Sequence, residues 1–220
     1  MEPSATPDLT DSPLDFRERL ALGPGAVLFC RAAAALAPAL LSEIAKIAAR
    51  APFRHFTIPG GREMSVAMTS CGTWGWISDA RGYRYSPLDP ASSQPWPPLP
   101  PLFLHLARKS AEAAGFPEFL PDSCLINRYA IGARMGPHQD RDEHDLDAPI
   151  VSVSLGLAAV FLWGGGARRD PLRRIPLGHG DVVVWGGPAR LHFHGIAPLK
   201  AGEPPLTGPF RYNLTFRRAR

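Results

Sequence analysis

The decapeptide GPHQDRDEHD, Gly136–Asp145, sets two histidines and four carboxylates together in a chain of formal net charge +4. Carboxylates at that density repel one another unless a positive partner lies among them. In an extended segment residues i and i+2 share a face, so His138 and Asp140 point together and Gln139 turns aside. A third donor, His194, stands several strands later in LHFHGI. Two neutral imidazoles and one carboxylate on one face, with the opposite face open, form the donor set of non-haem Fe(II) oxygenases. The positive partner these residues point to is an iron ion. Asp140 is then the central acid of the chemistry, and its two histidines are the neutral donors.

Chance copies of such spacing are common, and the chain holds one. His179 and Asp181 repeat HxD in HGD, yet glycines flank the histidine and the apolar run VVVW follows almost at once. That pattern reads as a turn opening a strand. His192 competes with His194 because both would face one side of a strand. Gly195, which lets the backbone come close to an ion, favours His194. Spacing alone leaves iron and coincidence level.

The segment FRYNLTFR near the C-terminus tips the balance. Phe210, Tyr212, Leu214 and Phe216 alternate with Arg211, Asn213, Thr215 and Arg217. One face is core, and the other is polar with an arginine at each end. At ~3.3 Å per residue the two arginine Cα atoms lie roughly 20 Å apart, and their side chains leave a gap suited to a small dicarboxylate. A buried arginine without a partner costs several kcal/mol, so an anion belongs there. A solvated edge strand is the alternative, and the aromatic packing opposite favours an internal strand. Iron with a dicarboxylic 2-oxo acid is a known chemistry. The keto and adjacent carboxylate oxygens chelate the metal, the far carboxylate meets an arginine, and O2 takes the remaining position. Decarboxylation of the 2-oxo acid then drives oxidation of a substrate.

These residues must be positioned by a β body. From Ser123 the sequence runs as short apolar stretches parted by turns: SCLINRYA, APIVSVSLGL, AVFLWGGG, RRIPLG, GDVVVWGG, RLHFHGI and PFRYNLTFRR. Regularly spaced short strands with no intervening helix predict a sandwich or barrel. The expected fold is mainly β with flanking helices, on a double-stranded β-helix (jelly roll) core. Residues 1–24 read as a loose tail and residues 25–122 as a helical and loop-rich region. Residues 123–220 read as the jelly roll, all within one folded unit. Within the second region, Leu40, Leu41, Ile44 and Ile47 recur at helical spacing in Ala33–Arg50. A second helix is predicted over about Leu102–Ala114, ended by Gly115. Between them lies a stretch rich in glycine, proline and aromatics, GWISDARGYRYSP included, which predicts hairpins that present rings.

Composition excludes several classes. The chain has 220 residues, 45% of them hydrophobic and 20% charged, so it is not a disordered chain. Its three cysteines, Cys30, Cys71 and Cys124, are scattered and form no CxxC pair, which argues against a disulfide framework or structural zinc. The acidic, proline-rich N-terminus is the opposite of a signal peptide. No apolar run approaches the ~20 residues of a membrane span. A soluble, reduced, cytoplasmic protein is expected, without a membrane partner. Basic residues are 21 arginines against three lysines, and the pI near 9.2 permits a nucleic-acid partner without demanding one.

LINRYAIGARMGPHQDRDE, APIVSVSLGL, HGDVVVWGG and RYNLTFR closely resemble the bacterial AlkB proteins, iron- and 2-oxoglutarate-dependent dioxygenases that reverse alkylation damage in DNA and RNA. The likeness runs from about Pro52 to Arg217 with motif order and spacing kept. It implies His138, Asp140 and His194 as iron ligands, and Asn127, Tyr129, Arg211, Asn213 and Arg217 around 2-oxoglutarate. GWISDARGYRYSP resembles the nucleotide-recognition lid, with Trp76, Tyr83, Arg84 and Tyr85 at substrate-contacting positions, and Asp142 and Arg168 match the remaining ones. Arg62, in IPGGRE, stands where the family pattern has an aromatic. The implied substrate is alkylated DNA, with RNA as a further substrate, presented as a single strand or a flipped base to a monomeric enzyme. Aromatic side chains on glycine-rich loops suit this, since base stacking contributes ~1–3 kcal/mol per base. Chemistry on a Watson–Crick edge also needs an extruded base. RRDPLRR, Arg168–Arg174, could hold phosphates or be a solvated loop, and Met64 and Met68 alternate onto one face as core or pocket lining.

The expected reaction is oxidative dealkylation of 1-methyladenine- and 3-methylcytosine-type bases, using Fe(II), 2-oxoglutarate and O2 and releasing formaldehyde, succinate and CO2. An alternative keeps the iron and hydroxylates a protein or small molecule; the aromatic lid and basic balance argue against it. A second alternative is a non-enzymatic cupin-like metal-binding module, against which the paired arginines of the last strand speak.

Overall fold

The computed structural model describes residues 14–202 and 206–220. Its strands in chain order are β1 (Arg19–Gly23), β2 (Ala26–Phe29), β3 (Arg54–Thr57), β4 (Glu63–Gly72), β5 (Gly75–Asp79), β6 (Gly82–Ser86), β7 (Ser123–Tyr129), β8 (Met135–His138), β9 (Ile150–Gly156), β10 (Ala159–Trp163), β11 (Arg173–Leu177), β12 (Val182–Trp185), β13 (His194–Ile196) and β14 (Arg211–Arg217). Two helices, α1 (Ala37–Arg50) and α2 (Pro101–Ala113), fall where the apolar spacing predicts them. Both begin with proline in the first turn, where a missing N–H costs nothing. Gly115, at φ +91°, closes the second.

The strands form an eight-stranded sheet in the order β1-β2-β12-β9-β14-β7-β4-β3, a four-stranded sheet β11-β10-β13-β8, and a separate ribbon β5-β6. Every pairing is antiparallel. This is the jelly-roll arrangement expected of the chain, and each of the seven apolar stretches after Ser123 contributes its strand. The large sheet also recruits β1 to β4 from the first half, so that half is not solely helix and lid. The loose tail expected to residue 24 differs likewise: residues 1–13 lie outside the described residues, and Arg19–Gly23 is already strand.

Two apolar layers sandwich the large sheet. On one face Leu40, Ile44, Ile47, Phe103 and Leu106 from the helices meet Val151, Val153, Leu214 and Phe216 from the strands. On the other face Ile150, Val183 and Trp185 pack with Phe161, Trp163, Ile175 and Ile196 of the small sheet. β14 is the clearest case of what this does to a side chain. Leu214 and Phe216 enter the helical layer, so period-2 alternation forces Arg211, Asn213, Thr215 and Arg217 between the two sheets, where all four are buried. β8, which contains Pro137, lies at the edge of the small sheet, where a missing N–H is tolerated. No helix among the described residues is long and apolar enough to cross a membrane.

Candidate active site and metal centre

The space between the two sheets is lined by His138, His194, Asn127, Tyr129, Arg211, Asn213 and Arg217, among others. The cross-strand pairing of His194 on β13 with His138 on β8 brings the two rings to a centroid separation of 4.5 Å. Gly195 makes this possible: a Cβ there would stand 2.6 Å from the Met135 carbonyl oxygen on the neighbouring strand. The glycine is needed for the approach of two backbones, not of backbone and ion as the sequence suggested.

Each histidine is oriented by the same local device. Nδ1 of His138 lies 2.9 Å from the Gly136 carbonyl oxygen, and Nδ1 of His194 lies 3.0 Å from that of His192. A carbonyl only accepts, so both Nδ1 atoms carry the hydrogen and both Nε2 atoms present a lone pair. Those Nε2 atoms lie 3.5 Å (His138) and 3.7 Å (His194) from the Asp140 carboxylate oxygens. Two bonds of ~2.1 Å to one ion span at most about 4.2 Å. Both separations lie inside that limit, and the three donor atoms lie within 4.8 Å of one another. The donor set fits a small, hard-to-borderline divalent cation with one face left open.

Electrostatics prepare the donors for a cation. Burial alone would raise the Asp140 carboxyl, but the Arg217 guanidinium, with the two imidazoles, holds it well below the usual carboxylate range. Burial, with His138 beside it, pushes His194 down to about 4, so its ring is neutral at pH 7. For His138 the burial penalty is outweighed by the hydrogen bond and charge of Asp140, and the ring is raised. Without a metal, Arg217 supplies the positive charge that the acids require.

Arg211 has the opposite character. It is 1% exposed, its Nη2 donates to Ser154 Oγ at 2.9 Å, and its guanidinium lies 5.0 Å from the Tyr129 ring centroid. Its Nε and Nη1 have no partner among the described residues. A buried fork with free donors facing the donor-lined cavity is complementary to a carboxylate. Asn213 is held by Ser152 Oγ and the Val153 carbonyl, and it accepts from Asn127 and Thr215. The two arginines of β14 are therefore not equivalent ends of one clamp. Arg217 spends Nε and Nη2 on Asp140 Oδ2, at 2.9 and 2.7 Å, and among the described residues only its Nη1 is unpartnered. Strand periodicity placed both arginines on the cavity face, but it could not show that the loop after β8 brings Asp140 against one of them.

The β5-β6 ribbon is tied by hydrogen bonds to the loop that follows β8 and carries Asp140. Trp76 and Tyr83 stack with centroids 5.6 Å apart, and Trp76 Nε1 donates to Asp142 Oδ2 at 2.9 Å. Tyr83 is 48% exposed and available to a flat partner. Tyr85 differs from the expectation of a base-contacting ring: it is buried, and its hydroxyl donates to Glu143 Oε1 at 2.5 Å. Arg84 is paired with both oxygens of Asp79 within its own ribbon. Arg168 is exposed and lies 5.8 Å from the Phe193 ring. Arg62 is exposed, Met68 is core, and Met64 packs at the core margin. His179 Nδ1 accepts from the Gly156 N–H, the strand-opening role the glycines suggested. His192 packs its ring on Trp163 rather than joining the donor set. Sequence reasoning missed two buried groups, Glu143 and Arg190, which form an ion pair at 3.1 Å. The crowding of acids after His138 was a signal for the first; nothing marked the second.

The 2OG-Fe(II) oxygenase superfamily matches residues 30–217. The alpha-ketoglutarate-dependent dioxygenase AlkB of Salmonella typhimurium is 58% identical over 198 residues, 90% of this chain and 92% of that protein. A human protein named nucleic acid dioxygenase ALKBH1 is 33% identical over 90 residues, covering 40% of this chain and 23% of its own length. The solved structure of OsALKBH1 superposes with a TM-score of 0.79 at 27% identity, over 91% of this chain and all of that one. With the His-Asp-His donor set and the carboxylate-complementary Arg211 already in place between the sheets, the chain belongs to the 2OG-Fe(II) oxygenase superfamily and, within it, to the AlkB family of alpha-ketoglutarate-dependent dioxygenases.

Proposed function

We propose that the protein oxidatively dealkylates N-alkylated bases of the 1-methyladenine and 3-methylcytosine type in DNA and in RNA. It uses Fe(II), 2-oxoglutarate and O2 and releases formaldehyde, succinate and CO2. The observation that carries this reading is a His-Asp-His donor set beside a buried arginine whose N–H donors lack acceptors among the described residues, with the exposed Tyr83 and the half-buried Trp76 on the adjoining ribbon.

His138, Asp140 and His194 would hold the iron, and Arg211 the far carboxylate of 2-oxoglutarate, with Asn127, Tyr129 and Asn213 along its length. When bound, the iron, 2-oxoglutarate and O2 supply the oxidising power that hydroxylates the alkyl carbon on the base nitrogen. The chain's own residues do the rest. Arg217 holds the Asp140 carboxylate ionised and in place. The two Nδ1 hydrogens fix the ring tautomers, and Trp185, Phe161 and Leu177 keep the cavity wall apolar. Tyr83 and Trp76 would stack an unpaired or flipped base. Asp142 would favour the fixed positive charge of a 1-methyladenine or 3-methylcytosine, and Arg168 would meet a phosphate. Arg84 and Tyr85, engaged by Asp79 and Glu143, would support the ribbon instead of touching the base. The enzyme would act as a monomer in the cytoplasm.

The test is anaerobic loading with Fe(II), 2-oxoglutarate and a methylated oligonucleotide, followed by O2 and quantification of formaldehyde and succinate. His138→Ala, Asp140→Ala and His194→Ala are expected to abolish turnover and metal retention. His179→Ala and His192→Ala should keep most of both, because the contact His192 makes to His194 is through its backbone carbonyl. A dead His192 variant beside an active His194 variant would reverse the ligand assignment.

A further inference from the structure

The segment after β8 that carries Asp140 has no regular secondary structure until β9, yet Asp140 must be held to a fraction of an ångström to serve as a ligand. Arg190, at the end of the short turn following β12, supplies much of that restraint. Its Nη1 donates to the Asp140 carbonyl at 2.6 Å, its Nε to the Ala148 carbonyl at 2.9 Å, and its Nη2 to Glu143 Oε2 at 3.1 Å. The Glu143 side chain is 2% exposed and also lies 3.3 Å from Arg217 Nε. Its Oε1 accepts the Tyr85 hydroxyl. Tyr85 is the cross-strand partner of Trp76 in the ribbon. A continuous buried chain thus runs from the aromatic ribbon through Tyr85 and Glu143 to Arg190 and Arg217, both of which grip Asp140. The other tie between ribbon and loop, Trp76 to Asp142, ends there: Asp142 makes no further side-chain hydrogen bond among the described residues.

We propose that Tyr85 and Glu143 are positioning residues that couple the base-binding ribbon to the metal ligand Asp140, so that nucleic acid on the ribbon tightens metal binding. The proposal rests on the assignment of Asp140 as a ligand. Glu143, with a side chain 2% exposed, neutralises two arginines that both hold Asp140, and an interior ion pair is by itself weak grounds for stability. Coupling of this kind is reciprocal: the factor by which an oligonucleotide tightens the metal is the factor by which the metal tightens the oligonucleotide.

The experiment is an anaerobic Co(II) titration of the full-length protein with 2-oxoglutarate, followed by its d–d absorption, with and without a 3-methylcytosine oligonucleotide. In the wild type the oligonucleotide is expected to tighten Co(II) by about fivefold or more, the low end of allosteric coupling. Tyr85→Phe, which removes one oxygen from a buried ring, should weaken Co(II) about tenfold, alter its d–d spectrum, and bring the coupling below twofold. Glu143→Gln should do the same and guards against a Tyr85 variant that folds poorly; near-ultraviolet circular dichroism of both checks the fold. Loss of thermal stability with unchanged Co(II) affinity, spectrum and coupling would show a merely structural network and overturn the proposal. No oligonucleotide effect in the wild type would overturn it as well. If Asp140→Ala binds Co(II) as the wild type does, the ligand assignment fails and the proposal with it. If only Asp140→Ala loses the metal, the assignment stands and the coupling alone is refuted.

Discussion

Replacing Arg211 with methionine should separate cosubstrate binding from stability. The guanidinium is buried, one nitrogen bonds Ser154, and two have no partner among the described residues. If those two donate to the far carboxylate of 2-oxoglutarate, each charge-assisted bond contributes ~1.5–3 kcal/mol. Losing both removes at least ~3 kcal/mol, a weakening of more than 100-fold at ~1.4 kcal/mol per decade. The protein without cosubstrate has no such bonds to lose. Methionine sacrifices the charge-assisted Ser154 bond, ~1.5–3 kcal/mol, and a ring contact with Tyr129 of ~1–2 kcal/mol. Against this it relieves a desolvated cation whose burial costs several kcal/mol. The free protein should therefore change by no more than ~2 kcal/mol in either direction, a shift in Tm of at most ~8 °C at ~2–4 °C per kcal/mol for this size. Calorimetric titration of 2-oxoglutarate into the anaerobic, Mn(II)-loaded protein measures the first effect, and urea unfolding of the metal-free protein the second. An unchanged 2-oxoglutarate affinity would refute the assignment. A loss of more than ~2 kcal/mol in the free variant would refute the view that its cation is under-partnered there.

Asp142→Asn preserves an oxygen for Trp76 Nε1 and deletes the charge, so kcat/KM on 3-methylcytosine should fall much more than on uncharged 1-methylguanine in matched oligonucleotides. At an effective dielectric of 20, two unit charges 4 Å apart attract by ~4 kcal/mol before desolvation, so even a third of that gives tenfold; equal losses would remove the charge-reading role. Gly195→Ala would thrust a Cβ to 2.6 Å from the Met135 carbonyl and drive β13 from β8, and metal affinity measured with Co(II) should drop at least tenfold with a lower Tm. Acid should destabilise the metal-free protein through His194. Its folded pKa of about 4 lies below the ordinary 6.5, so the unfolded chain takes the proton first. The stability is whole above pH ~6.5 and is lost progressively down to pH ~4, by about 3 kcal/mol at ~1.36 kcal/mol per unit. His138, raised and half exposed, works the other way, and Asp140, depressed, contributes only at lower pH. Urea unfolding at pH 7 and 4.5 should show a smaller pH difference in His194→Asn than in the wild type.

Residue spacing alone carried far at the metal centre and on the last strand, for one reason: a strand has a period of two, so His138 with Asp140 and Arg211 with Asn213 and Arg217 share faces whatever the rest of the chain does. The glycine at 195 was legible too, although its purpose was not, since only the fold shows that a neighbouring backbone, and not an ion, fills the space a Cβ would take. The first half of the large sheet was harder to read: β4 alternates Met64, Val66 and Met68 with Glu63, Ser65 and Thr69, but β1 and β2 are only five and four residues long and β2 is apolar throughout. Beyond Ser65 both faces of β4 are buried, so polar Thr69 lies inside as well, which alternation alone would have placed at the surface. Local sequence likewise could not choose between two fates for the tyrosines of the ribbon. Tyr83 and Tyr85 are two residues apart on one strand, yet one is exposed and the other is sealed beneath by a glutamate 58 positions further along. Arg190 and Glu143 are the extreme case. Their charges read as surface residues in any window of sequence, and they become buried partners only because the turn after β12 and the irregular loop after β8 close on each other. Composition and periodicity set which side chains face which way along each element. Which element each face then meets, and so which arginine holds a ligand and which waits for a carboxylate, was decided by contacts between residues distant in the chain.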